Sequence, residues 1–203
     1  MNSDPSEEKK ALITHLEQYG RVPKSMATIL INETKIISFR KRKHLVSPLD
    51  TYPNVYFILS GAVRGFAKDN GKDVTTWIAT EGQIVGLTLY PRQLPTDKPQ
   101  FIETLEVCQA VMIPNPLVKT LLNEFPEMGD IGRKLLLTHY REAEERNYLI
   151  RLSSAGKRLS RMMNTHPNLY HRIPLKYLAS YLGMRIETLS RLRGQLLVSE
   201  FDL

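Results

Sequence analysis

Residues 173–196 read Ile173-Pro174-Leu175-Lys176-Tyr177-Leu178-Ala179-Ser180-Tyr181-Leu182-Gly183-Met184-Arg185-Ile186-Glu187-Thr188-Leu189-Ser190-Arg191-Leu192-Arg193-Gly194-Gln195-Leu196. Pro174 suits the first position of a helix, where its missing N–H is not needed. Leu175, Leu178, Ala179 and Leu182 then share one apolar face. Gly183 ends that helix, since glycine reaches positive φ without a Cβ clash. After Met184-Arg185 a second helix begins, with Leu189, Leu192 and Leu196 turned inward. Two short helices that cross at a small residue, Ala179, with glycine four residues on, make a helix-turn-helix. Arg185, Glu187, Thr188, Ser190, Arg191 and Arg193 then face mostly outward. Arginine bonds guanine bidentately, and hydroxyls anchor phosphates. With Lys176 on the first helix, these residues form the candidate DNA-binding set. A hairpin used only for packing shows the same spacing, so the local pattern does not decide between the two.

Charge favours the DNA reading. The chain has 203 residues and a net charge of +7. Residues 1–132 carry 15 basic and 15 acidic side chains, whereas residues 133–203 carry 13 and 6. The whole excess therefore lies around the helix-turn-helix, where a polyanion partner would meet it.

Upstream, Ser153 or Ser154 caps an expected helix over Ala155–Asn164, and His166-Pro167-Asn168 breaks the chain. Residues 127–152 read as one long helix. Ile131, Leu135, Thr138, Glu142, Glu145 and Leu149 lie on one line of it, with Leu136, His139, Ala143 and Ile150 beside them. This face suits the chain's own β region, a second copy, or both. From Ile29 to Pro114 the sequence changes to short runs rich in Val, Ile, Phe, Tyr and Thr. Strands are expected at Thr34–Phe39, Val55–Leu59, Ala62–Lys68, Val74–Ala79, Ile84–Gly86, Gln100–Leu105 and Ala110–Ile113. Asp69-Asn70-Gly71-Lys72 is a hairpin signal, because Asn-Gly accepts positive φ. Many short strands at near-regular spacing predict a small sandwich or barrel. A further helix is expected over 6–18. No apolar run reaches the ~18–20 residues of a membrane helix, and with one cysteine no intrachain disulfide forms. These features predict a soluble, cytoplasmic protein without a membrane partner.

A β-roll, a long helix and a terminal helix-turn-helix, in this order, resemble the Crp/Fnr transcription regulators. Phe57-Ile58-Leu59-Ser60-Gly61-Ala62-Val63-Arg64 resembles the family's strand–glycine–strand turn. Glu81-Gly82-Gln83-Ile84-Val85-Gly86 resembles the entry to its phosphate-binding cassette. Glu187-Thr188-Leu189-Ser190-Arg191 resembles its recognition helix, and Lys176–Gly183 is similar to the branch common in Bacteroidetes-type bacteria. The resemblance implies an α+β chain in three parts. Residues 1–125 are a cyclic-nucleotide-binding-like β-roll of the jelly-roll type, 126–152 a dimerisation helix, and 153–203 an all-α helix-turn-helix domain. It further implies a homodimer on a two-fold symmetric double-stranded DNA operator, with RNA polymerase as a further partner. Glu187 and Arg191 would read bases, and Thr188 and Ser190 would touch phosphate.

Three departures from the family stand out. Gly86 is followed by Leu87-Thr88, where cyclic-AMP binders place Glu for the ribose. Lys98-Pro99 replaces their Arg-Ser/Thr-Ala grip on the cyclic phosphate. Lysine lacks the bidentate fork, and proline lacks a donor N–H. The tentative effector pocket of Gly86, Leu87, Thr88, Lys98 and Pro99 is thus expected not to bind cyclic AMP in the usual way. It leaves an unidentified small-molecule effector and no other cofactor. Few residues follow Leu196, so the family's β-hairpin wing is expected to be truncated or absent. Ile186 also stands where the family often has arginine.

Enzymatic chemistry has little support. The five histidines form no His-x-His pair of the kind a metal-binding roll needs. No phosphate-binding glycine motif occurs. Cys108 and His44, as haem ligands, lack supporting neighbours. No catalytic or metal-binding residue is therefore expected. Arg40-Lys41-Arg42-Lys43 reads as a solvated loop between strands, with a secondary phosphate or partner contact as the alternative. Trp77, with Thr75, Thr76 and Ile78, is expected to help fill the roll. The competing function is a ligand sensor or adaptor that works through protein contacts without binding DNA.

Overall fold

The structure, a computed structural model, describes residues 5–47, 54–86 and 100–201. Of Pro5, Gln100 and residues 196–201 it describes the backbone alone. Two helices, α1 (Pro5–Glu17) and α2 (Lys24–Glu33), precede the strands β1 (Lys35–Phe39), β2 (His44–Val46), β3 (Val55–Ser60), β4 (Val63–Asp69), β5 (Lys72–Ala79), β6 (Ile84–Val85), β7 (Gln100–Thr104) and β8 (Cys108–Ile113). Six helices follow: α3 (Asn115–Glu124), α4 (Pro126–Arg151), α5 (Ala155–Thr165), α6 (Pro167–Arg172), α7 (Leu175–Tyr181) and α8 (Ile186–Phe201).

The strands form two four-stranded antiparallel sheets, β1-β8-β3-β6 and β2-β7-β4-β5. This is the expected jelly-roll type of β-roll. Strand β3 is buried on both faces, which explains its unbroken apolar run. Tyr56 and Ile58 enter the roll interior with Val63, Ile102 and Ala110. Val55 and Phe57 face the opposite way, onto Leu12, Leu16, Met26, Leu30, Leu121, Ile131 and Leu135 of α1 to α4. Asp69 pairs with Lys72, and the residues between them take positive φ, 47° at Asn70 and 77° at Gly71. The Asn-Gly hairpin is therefore as read.

Of the six connections that cross between the sheets, β1–β2, β3–β4, β5–β6 and β7–β8 lie wholly within the described residues. The pairing registers bring all four to one end of the roll. Phe39 at the end of β1 and Ser60 at the end of β3 both meet the start of β8, and Val63 at the start of β4 meets Ala79 and Thr104. The helical C-terminal part docks at this end. Ala62 and Leu105 of the roll are buried in the same cluster as Leu159, Met162, Leu178, Leu182 and Leu189.

Four elements were not read from the sequence. Residues Ile29–Ile31 are β-branched enough to suggest a strand, but Met26 and Leu30, one helical turn apart, bury against the roll and make α2 a helix. β2 has three residues and α6 six, too few for a period to register. α3 presents Leu117, Val118 and Leu121 to the core. α8 continues past Leu196 to Phe201.

Candidate nucleic-acid interface and effector pocket

Helices α7 and α8 form the expected helix-turn-helix. Gly183, at φ +60°, makes the turn, and the Met184 amide donates to the Ala179 carbonyl at 3.0 Å. Ala179 is 2% exposed, where the helices cross. Leu189 is fully buried and fixes which side of α8 faces the domain. The side chains of Arg185, Ile186, Glu187, Ser190 and Arg191 are exposed, and Thr188 is half-buried. Among the described residues, no ion pair engages Arg185, Glu187 or Arg191. Lys176 is exposed, with its ammonium 4.5 Å from the Tyr177 ring centroid. Arg193 stands apart from this set. Its guanidinium lies 4.3 Å from the Tyr170 ring centroid and donates to the Tyr170 carbonyl, tying α8 to α6.

The helix-turn-helix is clasped to the roll by residues to which the sequence reading gave no such role. Arg64 on β4 is only 2% exposed. Its Nε donates to Glu103 at 2.9 Å, its Nη1 to Thr75 at 3.2 Å and its Nη2 to Asp73 at 2.6 Å. Its guanidinium carbon lies 4.0 Å from the centroids of both Phe66 and Tyr177. A buried arginine is tolerable only with such satisfaction of charge and donors. Tyr177 belongs to α7, so the roll's buried cation also serves as packing surface for the helix-turn-helix. The Thr75 amide donates to Ser180 Oγ of α7 at 2.9 Å. Thr75 thus faces α7 and does not fill the roll, and Thr76 is exposed. At the crossover end, Arg172 of α6 donates to Glu81 and Glu106 together. Glu81 also accepts from the Gly61 amide at 2.7 Å. The Arg172 hydrogen bond is the main reason the Glu81 carboxyl falls to about 2. No local sequence signal marks this clasp, because Arg64 and Tyr177, and Glu81 and Arg172, lie far apart in the chain.

Gly86 is the one residue of the expected effector pocket within the described residues; Leu87, Thr88, Lys98 and Pro99 lie outside them. Its φ is +85°, and a Cβ there would meet the Asn54 carbonyl oxygen at 2.6 Å, so glycine is required. It lines a cavity of about 430 Å³ between β5–β6 and α4. The walls include Trp77, Ile78, Ala79, Val85, Leu122, Met128 and Leu135, and the polar groups are Gln83, His139, Glu142 and Arg146. Gln83 donates to Glu142 at 3.2 Å, joining the cassette entry to α4. The Trp77 indole lies over Gly65, where a Cβ would come within 2.1 Å of the ring. Trp77 therefore packs on the roll interior while also facing the cavity. Cys108 is buried, and burial is the main cause that pushes its thiol up to about 11. Among the described residues no group of three or more His, Cys, Asp or Glu could hold a metal ion. No helix among them is long and apolar enough to cross a membrane.

A β-roll that carries a cavity on one side and grips a helix-turn-helix on another defines the class: a jelly-roll domain joined to a helix-turn-helix domain. No protein-family model matches the chain. Transcriptional activator protein FnrA of Stutzerimonas stutzeri is 26% identical over 166 residues, covering 75% of this chain and 66% of that protein. The anaerobic regulatory protein of Haemophilus influenzae is 22% identical over 168 residues, 77% of this chain and 64% of that protein. The chain thus spans slightly less than two thirds of the length of these relatives. FixK2 of Bradyrhizobium japonicum superposes with a TM-score of 0.67 at 17% identity, over 82% of this chain and 86% of that one. A Crp/Fnr-family chain from Eubacterium rectale gives 0.68 at 14% identity, over 88% and 85%. The c-di-GMP responsive regulator CLP of Xanthomonas campestris gives 0.62 at 15% identity, over 83% and 89%. The fold is shared with all three.

Proposed function

We propose that the chain is a sequence-specific DNA-binding transcription regulator that acts as a homodimer. The observation that carries this reading is the outward row on α8. Glu187 and Arg191 stand opposite the buried Leu189, Ser190 flanks them and Arg185 directly precedes the helix; all four are exposed, and no ion pair occupies the charged ones among the described residues. Arg191 and Glu187 are suited to base edges, and Arg185, Thr188, Ser190 and Lys176 to phosphates. Arg193 belongs to the framework behind them through Tyr170.

Dimerisation is supported by α4. Its inner line, Ile131, Leu135 and Leu149, is buried against the chain itself. Leu136, Tyr140 and Ile150 on another line are 64%, 60% and 51% exposed. With Ala143 and Asn147 they follow alternating steps of four and three, the pattern of a two-stranded seam. Asn147 falls at an a position if Leu136 is d, where one polar residue favours a specific register.

The effector reading is a small, largely apolar molecule in the cavity beside Gly86 and not cyclic AMP in the usual mode. The cavity's described walls are mostly apolar, with Arg146 as the one cation among the described lining residues. Signal would travel along β5. Trp77 faces the cavity, while Thr75, two residues earlier, holds α7 through Ser180.

The test is in-vitro selection from random duplex DNA at near-physiological salt without added ligand. A two-fold symmetric consensus with half-sites about 10 base pairs apart supports the reading. Sequence-blind, strongly salt-sensitive binding that persists with effector candidates overturns it in favour of an adaptor.

A further inference from the structure

We propose that His15 and His139 form a proton-operated latch between α1 and α4, closed while both rings are neutral and opened by mild acid, which makes DNA affinity depend on pH. Its effect on DNA rests on the reading of α8 as the DNA-reading helix.

The latch is built over one strand pair. Phe57 of β3 and Ile84 of β6 are partners in register. The His15 ring of α1 packs on Phe57 with centroids 5.1 Å apart, and it meets Tyr19 edge-on at 5.3 Å. The His139 ring of α4 donates through Nε2 to the Ile84 carbonyl at 3.2 Å, since a carbonyl only accepts. Two helices from opposite sides of the β segment thus meet the same edge, each through a histidine. Both rings are half-buried. Leu12 and Leu16 beside His15 are 1% and 3% exposed, so α1 has no freedom to turn its histidine outward while it stays docked.

The seam has no anion waiting for a proton. Around His15 the titratable neighbours are Tyr19 from α1 itself and His139 from α4, while β3 offers only the Phe57 ring. Around His139, β6 offers the Ile84 carbonyl, α4 itself offers Glu142 and Arg146, and the β5–β6 turn offers the neutral Gln83. Glu142 is engaged by Gln83 at 3.2 Å, and Arg146 shares the same cavity. No carboxylate forms an ion pair with either ring among the described residues. Burial, and after it the His139 ring, hold the His15 pKa below the usual 6.5. A histidine kept neutral by its surroundings stabilises the closed seam fully above 6.5. That contribution is lost as pH falls below 6.5 through the folded value, because the opened seam binds the extra proton. Two rings without a third ligand favour a proton over a metal ion, as no metal-holding group occurs among the described residues.

Helix α4 carries the effect to the DNA-reading end. Its first half seats Ile131 and Leu135 in the core beneath α1 and β3. Leu149, about 15 Å beyond His139 along the same helix, is buried with Leu159, Leu178 and Leu189 of the C-terminal part. A helix unseated at His139 therefore moves its far end against the domain that presents α8.

The experiment uses the full chain and a consensus duplex selected at about pH 8, with pH stepped down to about 5.5 at fixed salt. The native chain, His15→Gln, His139→Gln and the double variant are compared, each verified as folded at the starting pH by circular dichroism. His44, His166 and His171 are exposed and remain in every variant as a common background. Ring-proton NMR reads each histidine, and duplex binding reads the consequence. The His15 ring should titrate below 6.5 in the native chain and move toward 6.5 in His139→Gln, where the like charge is gone. Native DNA affinity should fall about tenfold on acidification, the change that one linked proton gives over about one pH unit. All the variants should match the native chain at the starting pH, and the double variant should lose the response. His139→Gln alone carries the test, through the His15 titration and the affinity response, where His15→Gln does not fold. An acid response equal in the native chain and the double variant overturns the latch. So does a His15 ring that titrates at or above 6.5 in the native chain. A consensus that the native chain binds equally at both ends of the pH range overturns the latch and leaves α8 as the reader. Failure to select any consensus overturns the reading of α8, and this regulation falls with it.

Discussion

The Thr75 amide and the Ser180 hydroxyl meet at 2.9 Å across the boundary between the roll and the helix-turn-helix. Two positions along the same strand, Trp77 stands at the cavity. One strand, with a register shift at Thr76 between the two positions, therefore touches both the cavity and the first helix of the helix-turn-helix. Trp77 is the chain's one tryptophan, so its emission reports on the cavity without labelling. An effector should shift that emission and change DNA affinity together. In Ser180→Ala the emission should still shift, while the affinity change should shrink. An affinity response that survives undiminished would mean that β5 is not the coupling element.

Base readout and phosphate contact should separate between Arg191 and Lys176. Arg191→Ala is expected to cost about 1–3 kcal/mol per half-site contact and to relax preference at one base position. Lys176→Ala should instead weaken all sequences alike and reduce the salt slope by about 1 per subunit. Competition binding against a panel of single-base operator variants distinguishes the two patterns.

Arg64 should be a stability residue. Replacing it with Met leaves Glu103 buried without its cation, a change of about 3–5 kcal/mol. Adding Glu103→Gln should recover part of that loss, because the stranded charge is removed. Denaturant unfolding at neutral pH measures both. Additive losses would show that the two side chains do not act as a pair.

Acid should loosen the clasp at Arg172. The folded Glu81 carboxyl sits at about 2, below its usual 4.5. A depressed carboxylate stabilises the fold fully above about 4.5 and loses that contribution as pH falls from 4.5 toward 2, where the unfolded chain binds the extra proton. Glu81→Gln should lower stability at neutral pH and flatten the stability-versus-pH curve in that window. An unchanged acid limb in the variant would exclude Glu81 as its source.

Self-association should depend on the outer line of α4. Leu136→Glu with Ile150→Glu is expected to give a monomer by sedimentation that retains weak DNA binding. Asn147→Leu should associate more tightly and lose its preference for two strands. If the double glutamate variant still sediments as a dimer, the interface lies elsewhere.

The fold was largely legible because its signals are local. Asn70-Gly71 announced its hairpin by the φ it requires, and Gly183 announced the turn between α7 and α8. Leu189 and Ala179 carried the crossing of those helices in their spacing and size. The clasp was not legible, for physical reasons. Arg64 lies 113 positions before Tyr177, and Glu81 lies 91 before Arg172. Nothing in a strand's alternation says which outward residue another domain will cover. Arg193 was read as outward from its helical position, yet its long stem lets the head fold back onto Tyr170, which periodicity does not register. The expected pocket fell on Leu87, Thr88, Lys98 and Pro99, outside the described residues, while Gly86 alone marks the cavity's edge.

Ala62 and Leu105 have a consequence for how such a chain can be divided. They belong to the roll by sequence, yet they complete the interior beneath α5 to α8. An excised segment 153–203 would leave Leu159, Leu178 and Leu182 open to water at that seam. The helix-turn-helix is therefore no detachable cassette. Grafted onto a foreign roll, it would need matching apolar residues at two distant turns to close its interior.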